Sequence, residues 1–119
     1  MLNFLKPSPK APTMTMQDVI AKAATGHILL VDVREKAELA SGTAKGAIHV
    51  PVALVGMKAD PKGPGHDKSF SLTQPVAVFC ASGGRSAMAA KTLQALGYEA
   101  IDLGGFGNWT EAGGPVVKG

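Results

Sequence analysis

The stretch Val76–Ser86 constrains the fold of this chain more than any other segment. An apolar, β-prone run leads directly into Cys80, the only cysteine in the sequence. Small residues follow, and after Arg85 and Ser86 comes a helical pattern from Ala87 to Leu96. The order of strand, short loop and helix predicts that Cys80 lies at the carboxyl end of a strand and faces a helix N-terminus. Such a position favours an anion, and a thiolate or a persulfide is an anion.

The residues that follow Cys80 indicate a reactive thiol rather than a small buried apolar side chain. A free thiol has a pKa of about 8.5, which a helix N-terminus or a nearby guanidinium lowers. Gly83 and Gly84 tolerate positive φ and allow the backbone amides to turn inward, and Arg85 carries a permanent charge. We therefore predict that the pKa of Cys80 lies below the free value and that Arg85→Ala raises it.

Composition fits one globular domain and argues against several classes of partner. The chain has 119 residues, of which 45% are hydrophobic and 18% charged, with a net charge of +3. No basic run with interleaved aromatic residues suggests nucleic-acid binding, and the histidines lack metal-ligand spacing. A single cysteine excludes an intramolecular disulfide, and no apolar stretch is long enough to span a membrane. We expect a cytoplasmic protein with no membrane, nucleic-acid or metal partner.

Strands alternate with helices along the chain, which predicts an α/β fold around a mostly parallel sheet. Residues 1–12 contain three prolines and are predicted to form a flexible arm, and residues 13–119 a single domain. The predicted elements are a helix over Met16–Ala24 capped by Thr15, a strand over Ile28–Val33, a short helix over Glu35–Ala40, a strand over Ala47–Val50, a helical turn over Val52–Met57, a polar loop over Lys58–Ser71, a strand over Val76–Phe79, a helix over Ser86–Leu96, an edge strand over Ala100–Leu103, a turn at Gly104–Gly105 and a short helix over Phe106–Ala112.

Charged residues follow the first strong strand, at the end of the sheet where ligands bind in open α/β folds. We expect these residues to support the site structurally rather than to react. Asp32 is predicted to accept loop N–H groups, and Arg34 to pair with Glu38. Several other residues are predicted from their context alone: Trp109 as core, His49 as a half-buried strand residue, His66 as a solvated loop residue, and Met14, Met16, Met57 and Met88 as packing residues.

The chain resembles a single-domain rhodanese, a sulfurtransferase module, from about Thr13 to Val117. The resemblance rests on four segments that stand in family order: Val31–Glu35, Gly42–Pro51, Cys80–Arg85 and Gly104–Val116. It implies a three-layer α/β/α fold with a central, mostly parallel sheet. Thr43 and Lys45 depart from the usual histidine and proline of the second segment, and we interpret both as structural substitutions in a turn.

The resemblance also implies a mechanism and a set of site residues. Cys80 is expected to attack the outer sulfur of thiosulfate or of a protein persulfide donor. The resulting cysteine persulfide passes its sulfur to a thiophilic acceptor, cyanide or a thiol, without a cofactor. The implied persulfide-binding loop comprises Ala81, Ser82, Gly83, Gly84, Arg85 and Ser86, and the implied structural support comprises Asp32, Arg34 and Glu38.

Two alternatives remain open from the sequence. Phosphatases and arsenate reductases with a related loop place one more residue between cysteine and arginine, whereas four lie between Cys80 and Arg85 here. A smaller loop suits a single sulfur atom better than a tetrahedral oxyanion. The second alternative is a binding or regulatory module without turnover, because Ala81 and Gly84 are uncharged where active sulfurtransferases often carry basic or polar residues. The same two residues favour a protein persulfide over thiosulfate as the donor.

Overall fold

A parallel sheet of four strands forms the centre of the computed structural model, which describes residues 14–118. The predicted arm at residues 1–12 lies outside this range. The strands are β1 (Leu29–Asp32), β2 (Thr43–Ala44), β3 (Ile48–His49), β4 (Val76–Cys80), β5 (Ala100–Gly105) and β6 (Val116–Val117). The central sheet has the order β3-β1-β4-β5, and its neighbouring strands are all parallel. Strands β2 and β6 form a separate antiparallel pair.

Helices cover both faces of the central sheet, which confirms the predicted three-layer α/β/α fold. The helices are α1 (Met16–Ala24), α2 (Val52–Ala59), α3 (Gly84–Ala95) and α4 (Phe106–Glu111), with a 3-10 helix at Lys36–Ser41. Helices α2 and α3 pack on one face, and α1 and α4 pack on the other. No helix within residues 14–118 is long and apolar enough to cross a membrane.

Strand β4 is the most deeply buried strand, and Cys80 lies at its carboxyl end. All five of its residues are buried, as expected of a central parallel strand covered on both faces. Alternation along the strand sends Val78 and Cys80 toward α2 and α3, and Phe79 toward α1 and α4. The sulfur therefore lies on the α3 side of the sheet, at the carboxyl end of its strand.

The predicted first helix agrees with α1 at both ends. The Thr15 hydroxyl accepts the Asp18 backbone N–H at 3.1 Å, and the Asp18 carboxylate accepts the Thr15 N–H at 3.2 Å. This reciprocal pair satisfies two backbone donors that a helix N-terminus otherwise leaves without partners. Thr15 is thus the N-cap that the sequence indicates.

Several predicted boundaries are wrong, and most errors occur where local patterns are short. The predicted helix over Glu35–Ala40 is a 3-10 helix over Lys36–Ser41, and the helical turn starting at Val52 is a full helix. The predicted turn at Gly104–Gly105 belongs to β5, because the strand continues two residues beyond its last apolar position. The pair β2–β6 was not predicted, since two-residue strands carry no readable alternation.

The predictions for individual side chains are confirmed for Trp109 and wrong for three other residues. Trp109 is only 1% exposed and belongs to the core, as predicted. Met57 and Met88 are 50% and 62% exposed, so their prediction as packing residues is wrong. His66 is half-buried rather than solvated, because its ring Nε2 lies 3.0 Å from the Phe70 carbonyl oxygen.

Candidate active site

The loop after β4 brings backbone N–H groups around Cys80. Cys80 is the last residue of β4, and α3 begins four residues later at Gly84. Gly83, the N-cap of α3, has φ +114°, a left-handed conformation that a side chain disfavours. This turn allows the chain to reverse within a short loop, so that the first turn of α3 is directed at the sulfur.

Three hydrogen-bonding groups surround the Cys80 sulfur. The Gly83 N–H donates to Sγ at 3.0 Å and the Ser86 N–H donates at 3.3 Å, while the Ser86 hydroxyl oxygen lies 3.5 Å from Sγ. Burial raises the pKa of the Cys80 thiol, but the hydrogen bonds from the Ser86 hydroxyl and from the N–H groups of Ser86, Gly83 and Ser82 outweigh it. The pKa of Cys80 is therefore lowered from its ordinary value, and the thiolate is favoured.

Ser86 holds the loop together as well as contacting the sulfur. It is fully buried, and its hydroxyl donates to the carbonyl oxygen of Gly83 at 3.0 Å or of Gly104 at 3.4 Å. While Cys80 is protonated, its thiol donates to the Ser86 oxygen. After deprotonation the same hydroxyl is within reach to donate to the thiolate, so the pair accommodates both states of the sulfur.

Two glycines at the end of β5 form a floor beneath the loop. A Cβ atom on Gly105 would lie 2.7 Å from the Ala81 carbonyl oxygen, a distance that requires the backbone to move. Gly104 has φ +76°, and its Cα lies 3.9 Å from where a Cβ on Gly83 would stand. The sequence analysis assigns these glycines to a turn and to the last of the four family segments, and it does not indicate their contact with the loop. Their adjacency in the sequence was visible, but their contact with the loop arises from the pairing of β5 with β4.

Arg85 forms a bidentate ion pair with the Glu38 carboxylate, so its charge is not available to the sulfur alone. Its Nη1 lies 2.6 Å from Glu38 Oε1 and its Nη2 lies 2.9 Å from Oε2. The Glu35 N–H also donates to Oε1 at 2.8 Å. The hydrogen bond from Arg85, followed by that from Glu35, lowers the pKa of Glu38 to about 2. The same pairing raises the pKa of Arg85.

The predicted pair between Arg34 and Glu38 is therefore wrong, and Arg34 pairs with Asp32. Arg34 Nη2 lies 2.7 Å from Asp32 Oδ2, and Arg34 Nε lies 3.0 Å from Oδ1. Both residues are buried, and the Arg34 backbone N–H also donates to Asp32 Oδ1. Thr43 completes the cluster by donating its hydroxyl to Oδ2 at 2.7 Å. Arg34 precedes the 3-10 helix in the chain, and the Glu38 carboxylate on that helix is held by Arg85 instead.

The Asp32–Arg34 pair lies on the face of the sheet opposite Cys80. The Arg34 guanidinium stands 4.8 Å from the centre of the Phe106 ring and 5.9 Å from that of Phe79. Arg34 Nη2 also donates to the Gly42 carbonyl oxygen at 2.7 Å. These contacts anchor the loop after β1 against α4, and they leave neither charged group available to a ligand.

The Cys80 side chain is buried next to three exposed residues of its own loop, Ala81, Ser82 and Gly84, which we call the mouth of the site. Cys80 itself is 1% exposed. Within residues 14–118 no group of three or more histidine, cysteine, aspartate or glutamate residues is arranged to hold a metal ion. The arrangement suits a thiolate that attacks a small atom presented from solvent.

The family of this chain follows from comparison with known proteins. The rhodanese-like domain family matches residues 15–112. The chain belongs to the rhodanese-like family. Curated relatives of this rhodanese-like domain include a human thiosulfate:glutathione sulfurtransferase, 28% identical over 85% of this chain and 95% of the relative. A sulfurtransferase from Allochromatium vinosum is 33% identical over 80% of this chain and 83% of the relative.

Solved structures give the same fold for the rhodanese-like domain. A human single-domain sulfurtransferase superposes with a TM-score of 0.70 at 27% identity, covering 84% of this chain and 96% of that one. A protein of unknown function from Rhodopseudomonas palustris, described as a possible tyrosine phosphatase, superposes with a TM-score of 0.76 at 34% identity, covering 90% of this chain and 85% of that one. Together with the sulfurtransferase relatives, the family supports a sulfurtransferase-type role.

Proposed function

We propose that this protein is a sulfurtransferase that carries sulfane sulfur as a persulfide on Cys80. The donor is thiosulfate or a persulfide, and the acceptor is a thiophile, cyanide or a thiol. The observation that supports the proposal is the group of hydrogen-bond donors around Sγ, formed by the N–H groups of Gly83 and Ser86 with the Ser86 hydroxyl beside them. These donors favour negative charge on a sulfur that is 1% exposed.

The chemistry balances with Cys80 as its only reacting residue. The thiolate attacks the outer sulfur of thiosulfate, a new S–S bond forms, and the original S–S bond breaks with its electron pair leaving on sulfite. An acceptor thiolate or cyanide then attacks the outer persulfide sulfur, and the Cys80 thiolate leaves. The second S–S bond breaks as the first one did, so the enzyme returns to its starting state without a cofactor.

The backbone of the loop provides electrostatic stabilisation in both half-reactions. Negative charge leaves Sγ when the persulfide forms, and it is restored when the acceptor removes the outer sulfur. Donors that are already oriented reduce the energy of that charge without reorganising during the reaction. We expect the exposed loop residues Ala81, Ser82 and Gly84 to lie nearest the outer persulfide sulfur.

Mass spectrometry of the intact protein tests the proposal. Incubation with thiosulfate, or with an organic persulfide, is expected to add one sulfur atom to the protein, and cyanide is expected to remove it. Cys80→Ser replaces the thiol with a hydroxyl in a side chain of similar shape. This matched variant is therefore expected to gain no sulfur. Sulfur addition to Cys80→Ser would contradict the assignment of Cys80, and no addition to the wild type with either donor would contradict the function.

The runner-up functions are separated by the same protein preparations. Hydrolysis of an aryl phosphate that is lost in Cys80→Ser would favour a phosphatase function, which is the possible function given for the similar Rhodopseudomonas palustris protein. Stoichiometric capture of one partner protein, equal in wild type and Cys80→Ala and without sulfur loading, would favour a binding module. The four-residue spacing between Cys80 and Arg85 supports sulfur over phosphate.

A further inference from the structure

The site carries less positive charge than its sequence suggests. The chain has two arginines, and each is paired with a carboxylate. Arg34 is 4% exposed and is held by Asp32, away from the mouth of the site. Arg85 is the only charged residue of the 80–86 loop, and both prongs of its guanidinium are occupied by Glu38. Apart from the Cys80 thiolate, the loop and its ion-pair partner together have no net charge.

Two positions at the mouth of the site could carry a cationic side chain, and in this chain neither does. Ala81 and Gly84 are both exposed beside Cys80. A Cβ atom on Gly84 would meet nothing within 4 Å, and its φ lies outside the range that side chains avoid. A lysine or arginine at either position would therefore reach the mouth without displacing the loop. The neutrality of the site is a property of this sequence and not a steric requirement of the fold.

We infer that the site selects sulfane-sulfur donors bearing at most one negative charge, such as an organic hydropersulfide, over the thiosulfate dianion. The inference rests on the proposed function and concerns its donor. A dianion that enters the mouth loses part of its hydration, and it gains little from a guanidinium that a carboxylate already neutralises. A donor with one charge or none loses less hydration, and the loop N–H groups meet its remaining need for hydrogen bonds.

The reaction with a hydropersulfide balances in the same way as with thiosulfate. The Cys80 thiolate attacks the terminal sulfur of the hydropersulfide, and the S–S bond of the donor breaks with its electron pair leaving on the donor's own sulfur. A thiolate is released in place of sulfite, and the proton stays on the transferred sulfur until solvent removes it. No oxidant or reductant is consumed.

Two donors that differ by one charge test the inference. Methanethiosulfonate is a monoanion and thiosulfate is a dianion, and both donate a terminal sulfur while releasing a sulfur oxyanion. The kcat/KM of each donor is measured with cyanide as acceptor and divided by the rate of the same donor with a free thiolate, which corrects for intrinsic reactivity. For the wild type we expect a corrected ratio that favours methanethiosulfonate by at least about threefold.

Glu38→Gln and Gly84→Lys are the test variants. Glu38→Gln releases the Arg85 charge while retaining an oxygen for the Glu35 N–H, and Gly84→Lys adds a charge at the open position. Each is expected to lower the corrected ratio about three- to fivefold by accelerating thiosulfate transfer. The matched control is Ala95→Lys, which adds the same charge to an exposed position at the other end of α3, about 16 Å along the helix.

The outcomes separate this inference from the proposed function. A wild-type ratio of one or below, or equal ratios in Glu38→Gln, Gly84→Lys and Ala95→Lys, would overturn the inference while sulfur loading of Cys80 remained intact. Absence of loading by both donors would overturn the proposed function and the inference with it. A ratio that falls in the two test variants and not in the control supports both.

Discussion

At the scale of single residues, ionisation of the Cys80 thiol depends on hydrogen bonds more than on neighbouring charges. Burial opposes ionisation of the thiol, and the donors from Ser86, Gly83 and Ser82 outweigh that opposition. Ser86 contributes twice, through its hydroxyl and through its backbone N–H. Arg85, the residue that the sequence suggests first, is already neutralised by Glu38. The dominant side chain at this sulfur is therefore a buried serine.

Replacing that serine tests this order of importance. Ser86→Ala removes the hydroxyl but retains the backbone N–H, so the pKa of Cys80 is expected to rise and alkylation at neutral pH to slow about tenfold. Alkylation rates with iodoacetamide across pH give the midpoint. The control is Ser82→Ala, which removes an exposed hydroxyl from the same loop and keeps its N–H. Equal midpoints in the two variants would show that the Ser86 hydroxyl does not stabilise the thiolate.

Replacing either member of the Arg85–Glu38 ion pair is expected to shift the alkylation midpoint of Cys80 by less than Ser86→Ala does. Arg85→Ala removes a positive charge and leaves the Glu38 carboxylate unpaired, and both changes disfavour a thiolate, so the pKa of Cys80 is expected to rise. Glu38→Gln leaves the positive charge alone, so the pKa of Cys80 is expected to fall. The expected order of midpoints, from highest to lowest, is Ser86→Ala, Arg85→Ala, wild type, Glu38→Gln. A midpoint for Arg85→Ala above that of Ser86→Ala would make charge the leading cause.

At the scale of secondary-structure elements, the active loop is supported from below by the end of β5. The loop backbone approaches Gly105 so closely that a Cβ atom there would lie 2.7 Å from the Ala81 carbonyl oxygen. Backbone atoms of a packed loop cannot yield as the end of a flexible side chain can. The position of Cys80 within its ring of N–H groups therefore depends on a strand that contributes no reacting group.

Gly105→Ala is expected to displace the loop and to reduce sulfur loading of Cys80 by about tenfold or more, because small displacements of reacting groups are costly. Loading is followed by intact mass after incubation with a sulfur donor. Gly107→Ala is the matched control, since a Cβ there meets nothing within 4 Å and alanine favours the helix α4 in which it lies. Unchanged loading in Gly105→Ala, with stability near that of the control, would show that the loop does not depend on this floor.

The elements that sequence reasoning recovered are those with long apolar runs or clear caps. The apolar runs around Leu30 and Val78 predicted β1 and β4, and Thr15 predicted the start of α1. Arg85 and Glu38 are 47 residues apart in sequence, and no local pattern indicates that they meet. Pairing of Thr43 with Val117 likewise depends on the whole fold. Contacts between distant short segments are decided by tertiary packing, which periodicity does not encode.

At the scale of the whole molecule, two cores lie on opposite faces of one sheet, and they separate the proposed reacting sulfur from a buried charged cluster. The face covered by α2 and α3 holds Cys80, and the face covered by α1 and α4 holds the buried cluster of Asp32, Arg34 and Thr43. Thr43 belongs to β2, and its bond to Asp32 at the end of β1 joins the small sheet to the central one. This cluster stabilises the fold without facing the Cys80 sulfur.

Thr43→Val separates these two roles. Valine fills the same space but offers no hydroxyl to the buried Asp32 carboxylate, and losing a hydrogen bond to a buried charged group is expected to cost about 1.5–3 kcal/mol of unfolding free energy. Urea denaturation measures this loss, with Thr43→Ser, which keeps the hydroxyl, as the control. Because the cluster lies across the sheet from Sγ, the alkylation midpoint of Cys80 is expected to stay at its wild-type value in Thr43→Val. A shifted midpoint would mean that the cluster also sets the position of the active loop.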